Sequence, residues 1–138
     1  MRKVIIADDE LHIRNLLKYL VHWEQLGLTF AAEYDNGADV VAHIEQEHID
    51  IIITDIQMPG MDGLDMIRKV RETDPECRFV VISGYRDFAY AQAAVKLGVS
   101  DYILKPIDED ELNAALAAII ETESEDGGKQ GKRDDRRK

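Results

Sequence analysis

Five short, strongly apolar runs recur along the chain, and each is followed by a longer segment with helical spacing. The runs cover residues 3–7, 28–34, 50–54, 78–83 and 101–104. Runs such as Val4-Ile5-Ile6 do not alternate apolar and polar residues, which is typical of parallel strands covered on both faces. Because the intervening segments are long enough for crossover helices, the pattern predicts an α/β fold, a doubly wound five-stranded parallel sheet with five helices.

Apolar stripes predict which face of each helix packs on the sheet. The inward positions predicted in this way are Leu11, Leu16, Leu17 and Leu20 in the first helix, Leu64, Ile67 and Val70 or Arg71 in the third, Ala91 and Val95 in the fourth, and Leu112, Leu116 and Ile119 in the fifth. The fourth helix, residues 87–97, is apolar almost all round. Its surplus arc near Tyr90, Ala93 and Leu97 is therefore expected to be free to meet a partner.

Charge and composition exclude several classes of protein. Of the 138 residues, 17 are Lys or Arg and 28 are Asp or Glu, so the net charge of −11 argues against direct binding of nucleic acid. No apolar run approaches the ~20 residues that span a bilayer, and a single cysteine, Cys77, allows no internal disulfide. We expect a soluble, cytoplasmic domain over residues 1–121. Residues 122–138, highly charged and glycine-containing, are expected to be a disordered linker or tail.

Four of the five predicted strands end in residues that can carry chemistry. Asp8-Asp9 follows the first strand, Asp55 the third, Ser83 ends the fourth, and Lys105 follows the fifth. In open α/β sheets, ligands bind outside the carboxyl ends of the strands, where the strand order reverses. In one such order the first and third strands are neighbours, and the three aspartates would then converge beside Ser83 and Lys105.

Three converging carboxylates need a counter-charge. At ~5 Å and an effective dielectric of ~20, each pair repels by about 3 kcal/mol, and one lysine does not balance them. Oxygen ligands alone favour a hard cation, Mg²⁺ before Zn²⁺, and a carboxylate, Mg²⁺, a lysine and a hydroxyl together suit phosphoryl transfer. The plainer alternative is that Asp8 or Asp9 only caps the first helix. The four histidines have no ligand spacing and are expected to be surface or packing residues.

These residues closely resemble the receiver domain of two-component response regulators. The matching segments, within residues 2–121, are Asp8-Asp9, residues 51–63 with the sequence IIITDIQMPGMDG, Ser83-Gly84, and residues 102–106 with the sequence YILKP. The resemblance implies a flavodoxin-like sheet of order 2-1-3-4-5. It also implies that the Lys105–Pro106 peptide bond is cis.

The same resemblance implies a role for each matching residue. Asp55 would accept the phosphoryl group, and Lys105 would pair with it. Asp9 and Asp55 would ligate Mg²⁺, with Asp8 acting mainly through water and Gln57 through its backbone carbonyl. Ser83 and Tyr102 would form the switch pair, and Gln57 and Tyr85 would tune the rate of dephosphorylation.

Three further segments resemble receivers joined to AraC-type DNA-binding domains: residues 23–28, 35–38 and 83–93. The resemblance implies a phosphoprotein that is phosphorylated by a sensor histidine kinase docked near Ile13, Leu16 and Leu17. It further implies control of transcription through a DNA-binding domain outside this sequence. We expect a homodimer through the fourth helix, fifth strand and fifth helix, whose Ala114, Ala117 and Ala118 lie outside its main stripe.

Other functions fit the residues less well. A free-standing single-domain receiver, or a docking module without phosphotransfer, remains an alternative. A phosphohydrolase of the haloacid-dehalogenase type has an acid two residues after its nucleophile, where this chain has Gln57. A flavin mononucleotide module would not place Asp8-Asp9-Glu10 against a phosphate. The chain is therefore not expected to be an enzyme, apart from self-phosphorylation from small donors and autodephosphorylation.

Overall fold

The computed structural model describes residues 1–84 and 88–128, without the side chains of Phe88 and residues 123–128. Its strands are β1 (Arg2–Ala7), β2 (Leu28–Tyr34), β3 (Ile51–Asp55), β4 (Arg78–Ser83) and β5 (Asp101–Leu104). Its helices are α1 (Leu11–Leu20), α2 (Trp23–Leu26), α3 (Gly37–Gln46), α4 (Gly63–Thr73), α5 (Phe88–Lys96) and α6 (Glu109–Gly128).

The strands form one parallel sheet in the order β2-β1-β3-β4-β5, which confirms the predicted fold class and strand order. Ala7 lies opposite Thr54, and Asp55 lies opposite Ile82. The residues that follow β1 and β3 and those that end β4 therefore meet at one edge of the sheet.

Helices cover both faces of the sheet, and this explains the non-alternating strand sequences. Ile52 and Phe79 pack in one layer with residues of α3, α4 and α5. Ile51 and Ile53 pack in the other layer, with residues of α1 and α6. Since the central strands have no solvent-facing side, both sets of alternate residues are apolar.

One helical segment was not predicted. The single turn α2 spans Trp23–Leu26, and its C-cap residue is Gly27, which has a φ of 68°. The Trp23 Nε1–H donates to the carbonyl of Lys18, 2.8 Å away, and the indole packs edge-on against Phe30. Five helices were predicted, and the described residues form six, of which α2 is the additional one. A segment of four residues is too short to show an apolar stripe.

Two helices are rotated relative to the predicted stripes. In α5, Ala94 is fully buried, Tyr90, Ala93 and Leu97 pack against the core, and Val95 is 70% exposed. In α1, Leu17 is buried and Leu20 packs against the core as predicted, while Leu11 and Leu16 face solvent. Both helices carry apolar residues on more than one face, so periodicity alone could not decide which face packs on the sheet.

The last helix extends past the predicted end of the domain. α6 continues to Gly128, so residues 122–128 are helical. Once a helix exists, each added residue fixes one residue and gains one hydrogen bond, which makes such an extension easy. Residues 129–138 lie outside the described part of the chain. Within residues 1–84 and 88–128, no helix has both the length and the apolar character needed to cross a bilayer.

Candidate functional site

The three predicted carboxylates converge at the carboxyl edge of the sheet. Asp8, Asp9 and Asp55 each offer one oxygen, and these oxygens lie within 4.8 Å of one another. The strand register causes this, because β1 and β3 are neighbours and end side by side. Asp8 and Asp55 are buried while Asp9 is exposed.

Asp8 is the most enclosed member of this acidic cluster, at 1% exposure. Its Oδ1 accepts a hydrogen bond from the Glu10 N–H at 2.9 Å. Its Oδ2 is buried and has no hydrogen-bond partner in the described residues. Burial, together with the nearby charge of Asp55, raises the pKa of Asp8 to about 6, while the hydrogen bond from Glu10 acts in the opposite direction. Glu10, not Asp8 or Asp9, occupies the N-cap position of α1, and its side chain makes no capping hydrogen bond.

Asp55 ends β3 and is held by backbone groups. Its Oδ1 accepts from the Ile56 N–H at 2.7 Å, and the Thr54 hydroxyl donates to the Asp55 carbonyl at 2.9 Å. The loop that follows folds back tightly, since the Gly63 N–H donates to the Ile56 carbonyl at 2.7 Å. Burial raises the pKa of Asp55, while the Lys105 ammonium acts in the opposite direction.

Lys105 supplies positive charge to the acidic cluster. Its Nζ lies 3.5 Å from Asp55 Oδ2 and 3.6 Å from Asp8 Oδ2. The Lys105 N–H donates to the Ser83 carbonyl at 2.8 Å, and the Lys105–Pro106 peptide bond is cis. This backbone bond fixes the start of the β5–α6 loop against the end of β4.

Of the remaining predicted site residues, Gln57 borders the same region and Ser83 ends the neighbouring strand β4. An open pocket at this edge is lined by Asp9, Glu10, Asp55, Gln57, Gly84 and Lys105. Ser83 is fully buried at the end of β4, and Tyr102 lies on β5 opposite Val81, partly buried against the core. Tyr85 lies outside the described residues.

The donor set fits a hard divalent cation. Three carboxylates face one ammonium group, and a buried carboxylate oxygen of Asp8 has no hydrogen-bond partner among the described residues. Buried carboxylates in excess of the cations that face them are destabilising unless a further cation or a proton neutralises them. Oxygen-only ligands with open access to water are the environment that Mg²⁺ prefers. The residues therefore suit Mg²⁺.

The response regulator receiver domain family matches residues 4–117 of this chain. The chain belongs to that family. A transcriptional regulatory protein of Bacillus subtilis, YesN, described as uncharacterized, is 40% identical over 120 residues, which are 87% of this chain and 33% of that protein. The transcriptional regulatory protein HptR of Staphylococcus aureus is 33% identical over 132 residues, or 96% of this chain and 52% of that one. This receiver chain thus spans about a third to a half of these relatives.

Solved receiver structures superimpose closely on this receiver. The REC domain of AraT, a response regulator from Geobacillus stearothermophilus, has a TM-score of 0.85 at 36% identity, covering 91% of this chain and 98% of that one. A two-component transcriptional regulator AraC from Clostridium phytofermentans has a TM-score of 0.81 at 30% identity, covering 88% and 95%. The recognition of the chain as a receiver that resembles those of AraC-type regulators is therefore confirmed.

Sequence reasoning missed two residues that support the receiver site. Arg14 of α1 donates to the Asp8 carbonyl, and the Tyr90 hydroxyl of α5 accepts a hydrogen bond from the Gln57 side-chain amide at 2.8 Å. Neither residue lies at the end of a predicted strand, and that position was what identified the other site residues. Both lie in helices, α1 and α5, whose orientation about the helix axis depends on tertiary packing.

Proposed function

We propose that Asp55 of this receiver accepts a phosphoryl group from a phosphohistidine of a sensor histidine kinase. The observation that carries the proposal is the position of the Asp55 carboxylate, buried beside two further aspartates with Lys105 Nζ 3.5 Å away. Membership of the receiver family supports it. An isolated carboxylate at the protein surface would have neither the neighbouring aspartates nor the ammonium partner.

The transfer would form one bond and break one. A carboxylate oxygen of Asp55 attacks phosphorus, and the bond from phosphorus to the donor's imidazole nitrogen breaks, with its electron pair remaining on the imidazole. Lys105 pairs with the negative charge on the phosphoryl oxygens. Water later attacks the acyl phosphate and restores Asp55 and inorganic phosphate. No external substrate is turned over, so the chain acts as a signalling domain.

Mg²⁺ would be held by Asp9 and Asp55, by Asp8 mainly through water, and by the backbone carbonyl of Gln57. When bound, this ion neutralises charge on the phosphoryl oxygens. The chain's own residues contribute the rest: the backbone bonds around Asp55 orient its carboxylate, and the buried Asp8 adds negative charge that retains the cation.

Phosphorylation would change the conformation of the switch pair, Ser83 and Tyr102. The Ser83 hydroxyl would move to the phosphoryl group, and the Tyr102 ring would turn inward behind it. The face formed by α5, β5 and α6 would then pair with a second copy of the chain. An output domain for transcription would respond to this dimer, as the names of the longer relatives suggest for those proteins.

The test is the intact mass of the protein after incubation with acetyl phosphate, with and without Mg²⁺. We expect a single phosphoryl adduct that requires Mg²⁺ and is absent from Asp55→Asn, which keeps the shape of the side chain but is not a nucleophile. Asp110→Asn, an exposed carboxylate of α6, is the control and should label like the parent. A protein that binds Mg²⁺ but gains no adduct would indicate a docking module without phosphotransfer.

A further inference from the structure

The helix α1 contributes a side chain that reaches under the acidic cluster. The Arg14 Nη1–H donates to the backbone carbonyl of Asp8 at 2.7 Å, and the Arg14 Nε–H donates to Glu33 Oε1 at 2.7 Å. The Arg14 side chain is 14% exposed, so water screens these bonds only in part. One guanidinium therefore joins α1, the β1–α1 loop and β2.

The Asp8 carbonyl belongs to the peptide between the two acidic residues. Arg14 holds the oxygen of that peptide, and the Asp8 N–H donates to the Tyr34 carbonyl of β2 at 3.1 Å. The backbone of Asp8 is thus anchored on both sides. Since the side chains of Asp8 and Asp9 project from this segment, its orientation decides where their carboxylates lie.

Arg14 shares its anionic partner with a second cation of α1. Lys18 Nζ binds the other oxygen of Glu33 at 2.5 Å, so two cations of α1 share one anion of β2. The hydrogen bond from Lys18, followed by that from Arg14, lowers the pKa of Glu33. Glu33 is thus held as an anion that fixes the Arg14 guanidinium against the Asp8 carbonyl.

We propose that Arg14, fixed by Glu33, is a positioning residue that sets the affinity of the acidic cluster for Mg²⁺. The inference rests on the proposed function, since it concerns the cation that phosphorylation of Asp55 uses. Arg14 acts through the Asp8–Asp9 peptide and touches neither the phosphoryl group nor the ion. A residue that orients metal ligands from behind typically changes metal affinity by about 10-fold or more when it is replaced.

The experiment measures Mg²⁺ binding by calorimetry in the absence of any phosphodonor. We expect Arg14→Gln to raise the Mg²⁺ dissociation constant about 10-fold. We expect Arg14→Lys to fail to restore it, because one ammonium cannot donate in two fixed directions as a guanidinium does. Glu33→Gln keeps an acceptor for Arg14 and should give a smaller change in the same direction. Arg68→Gln is the matched control, since Arg68 pairs with Asp65 on the exposed face of α4.

A second readout separates positioning from general loss of structure. In phosphorylation by acetyl phosphate, the Mg²⁺ concentration for half-maximal rate should rise about 10-fold in Arg14→Gln, while the rate at saturating Mg²⁺ stays within about twofold of the parent. Should Arg14→Gln fold poorly, Glu33→Gln decides the same question. Unchanged Mg²⁺ affinity in the folded variants overturns the positioning role alone. Absence of Mg²⁺ binding or labelling in the parent overturns the proposed function as well.

Discussion

Asp8 is the residue at which stability and function conflict most directly. Its carboxylate is buried beside Asp55, and its Oδ2 has no hydrogen-bond partner in the described part of the chain. Lys105 is shared between Asp8 and Asp55, so without a further cation this arrangement is destabilising once Asp8 loses its proton. The acidic cluster therefore favours the binding of a cation, and the same repulsion lowers the stability of the metal-free fold.

The raised pKa of Asp8 predicts how stability changes with pH in Mg²⁺-free buffer. The folded state holds the proton up to a pKa of about 6, against an ordinary value of 3.8, so the contribution of Asp8 to stability falls as pH rises between these values. We expect Asp8→Asn to be more stable than the parent by about 2 kcal/mol near neutral pH, and the difference to vanish at acidic pH.

Urea denaturation at several pH values measures this difference. Asp110→Asn, which removes an exposed carboxylate, is the control and should follow the parent at every pH. Added Mg²⁺ should reduce the difference in free energy of unfolding at neutral pH, because the parent binds the cation more tightly than Asp8→Asn does. A variant no more stable than the parent at neutral pH would show that Asp8 carries no unfavourable charge.

At the scale of single elements, the turn from β3 into α4 determines where Asp55 lies. A Cβ on Gly63 would come 2.2 Å from the Asp55 carbonyl oxygen and 3.0 Å from the Ile56 Cα. The helix that follows is well determined by its own residues, since the Asp62 side chain accepts from the Asp65 N–H at 2.9 Å and caps α4. The close approach at Gly63 joins this helix to the site.

We expect Gly63→Ala to lower the free energy of unfolding by about 2 kcal/mol or more, because backbone atoms on both sides must move apart. The displaced Asp55 should also label more slowly with acetyl phosphate. Gly84→Ala is the matched control for stability: among the described residues its Cβ would meet only the Lys105 side chain, at 3.8 Å, and the residue is exposed. Equal unfolding midpoints for the two variants would contradict the steric argument.

The facing of α5 is also decided at this scale. Arg71 of α4 donates to the carbonyls of Leu97 and Gly98, at 2.8 and 2.9 Å, and so binds the end of α5. Ala94 is the buried centre of the helix, and Val95 consequently points outward. The sequence-based expectation of an outward face near Tyr90, Ala93 and Leu97 was wrong, because these residues pack against the core while Val95 is exposed.

At the scale of the whole molecule, the proposed response to phosphorylation is association of two copies. We expect the protein with Mg²⁺ and beryllofluoride, which mimics the acyl phosphate, to sediment as a dimer, and the untreated protein to shift toward the monomer. Val95→Lys should weaken the dimer without preventing phosphorylation, because it places a charge in the apolar contact.

Leu11→Lys is the control for this experiment, since Leu11 is equally an exposed apolar residue but lies on α1. Its dimer should match that of the parent. A phosphorylated parent that sediments as a monomer at high concentration would exclude this face as a phosphorylation-sensitive dimer interface. Sedimentation velocity across a range of concentrations gives the answer.

The sequence by itself determined the parts of this protein that depend on local order along the chain. Apolar runs without alternation predicted a sheet covered on both faces, and the structure confirms it. The polar ends of those runs predicted the acidic cluster with Lys105, because residues that end parallel strands necessarily share an edge. These inferences need only the period of a strand and the direction of its neighbours.

Only the tertiary structure decided which helix faces turn inward and which side chains support the site from behind. α1 and α5 carry apolar residues on several faces, so their rotation depends on the shape of the sheet they meet and on contacts such as those of Arg71. Arg14 reaches the Asp8 carbonyl because α1 packs where β1 and β2 adjoin. Long-range packing of this kind has no period in the sequence, and its energy exists only once the layers are assembled.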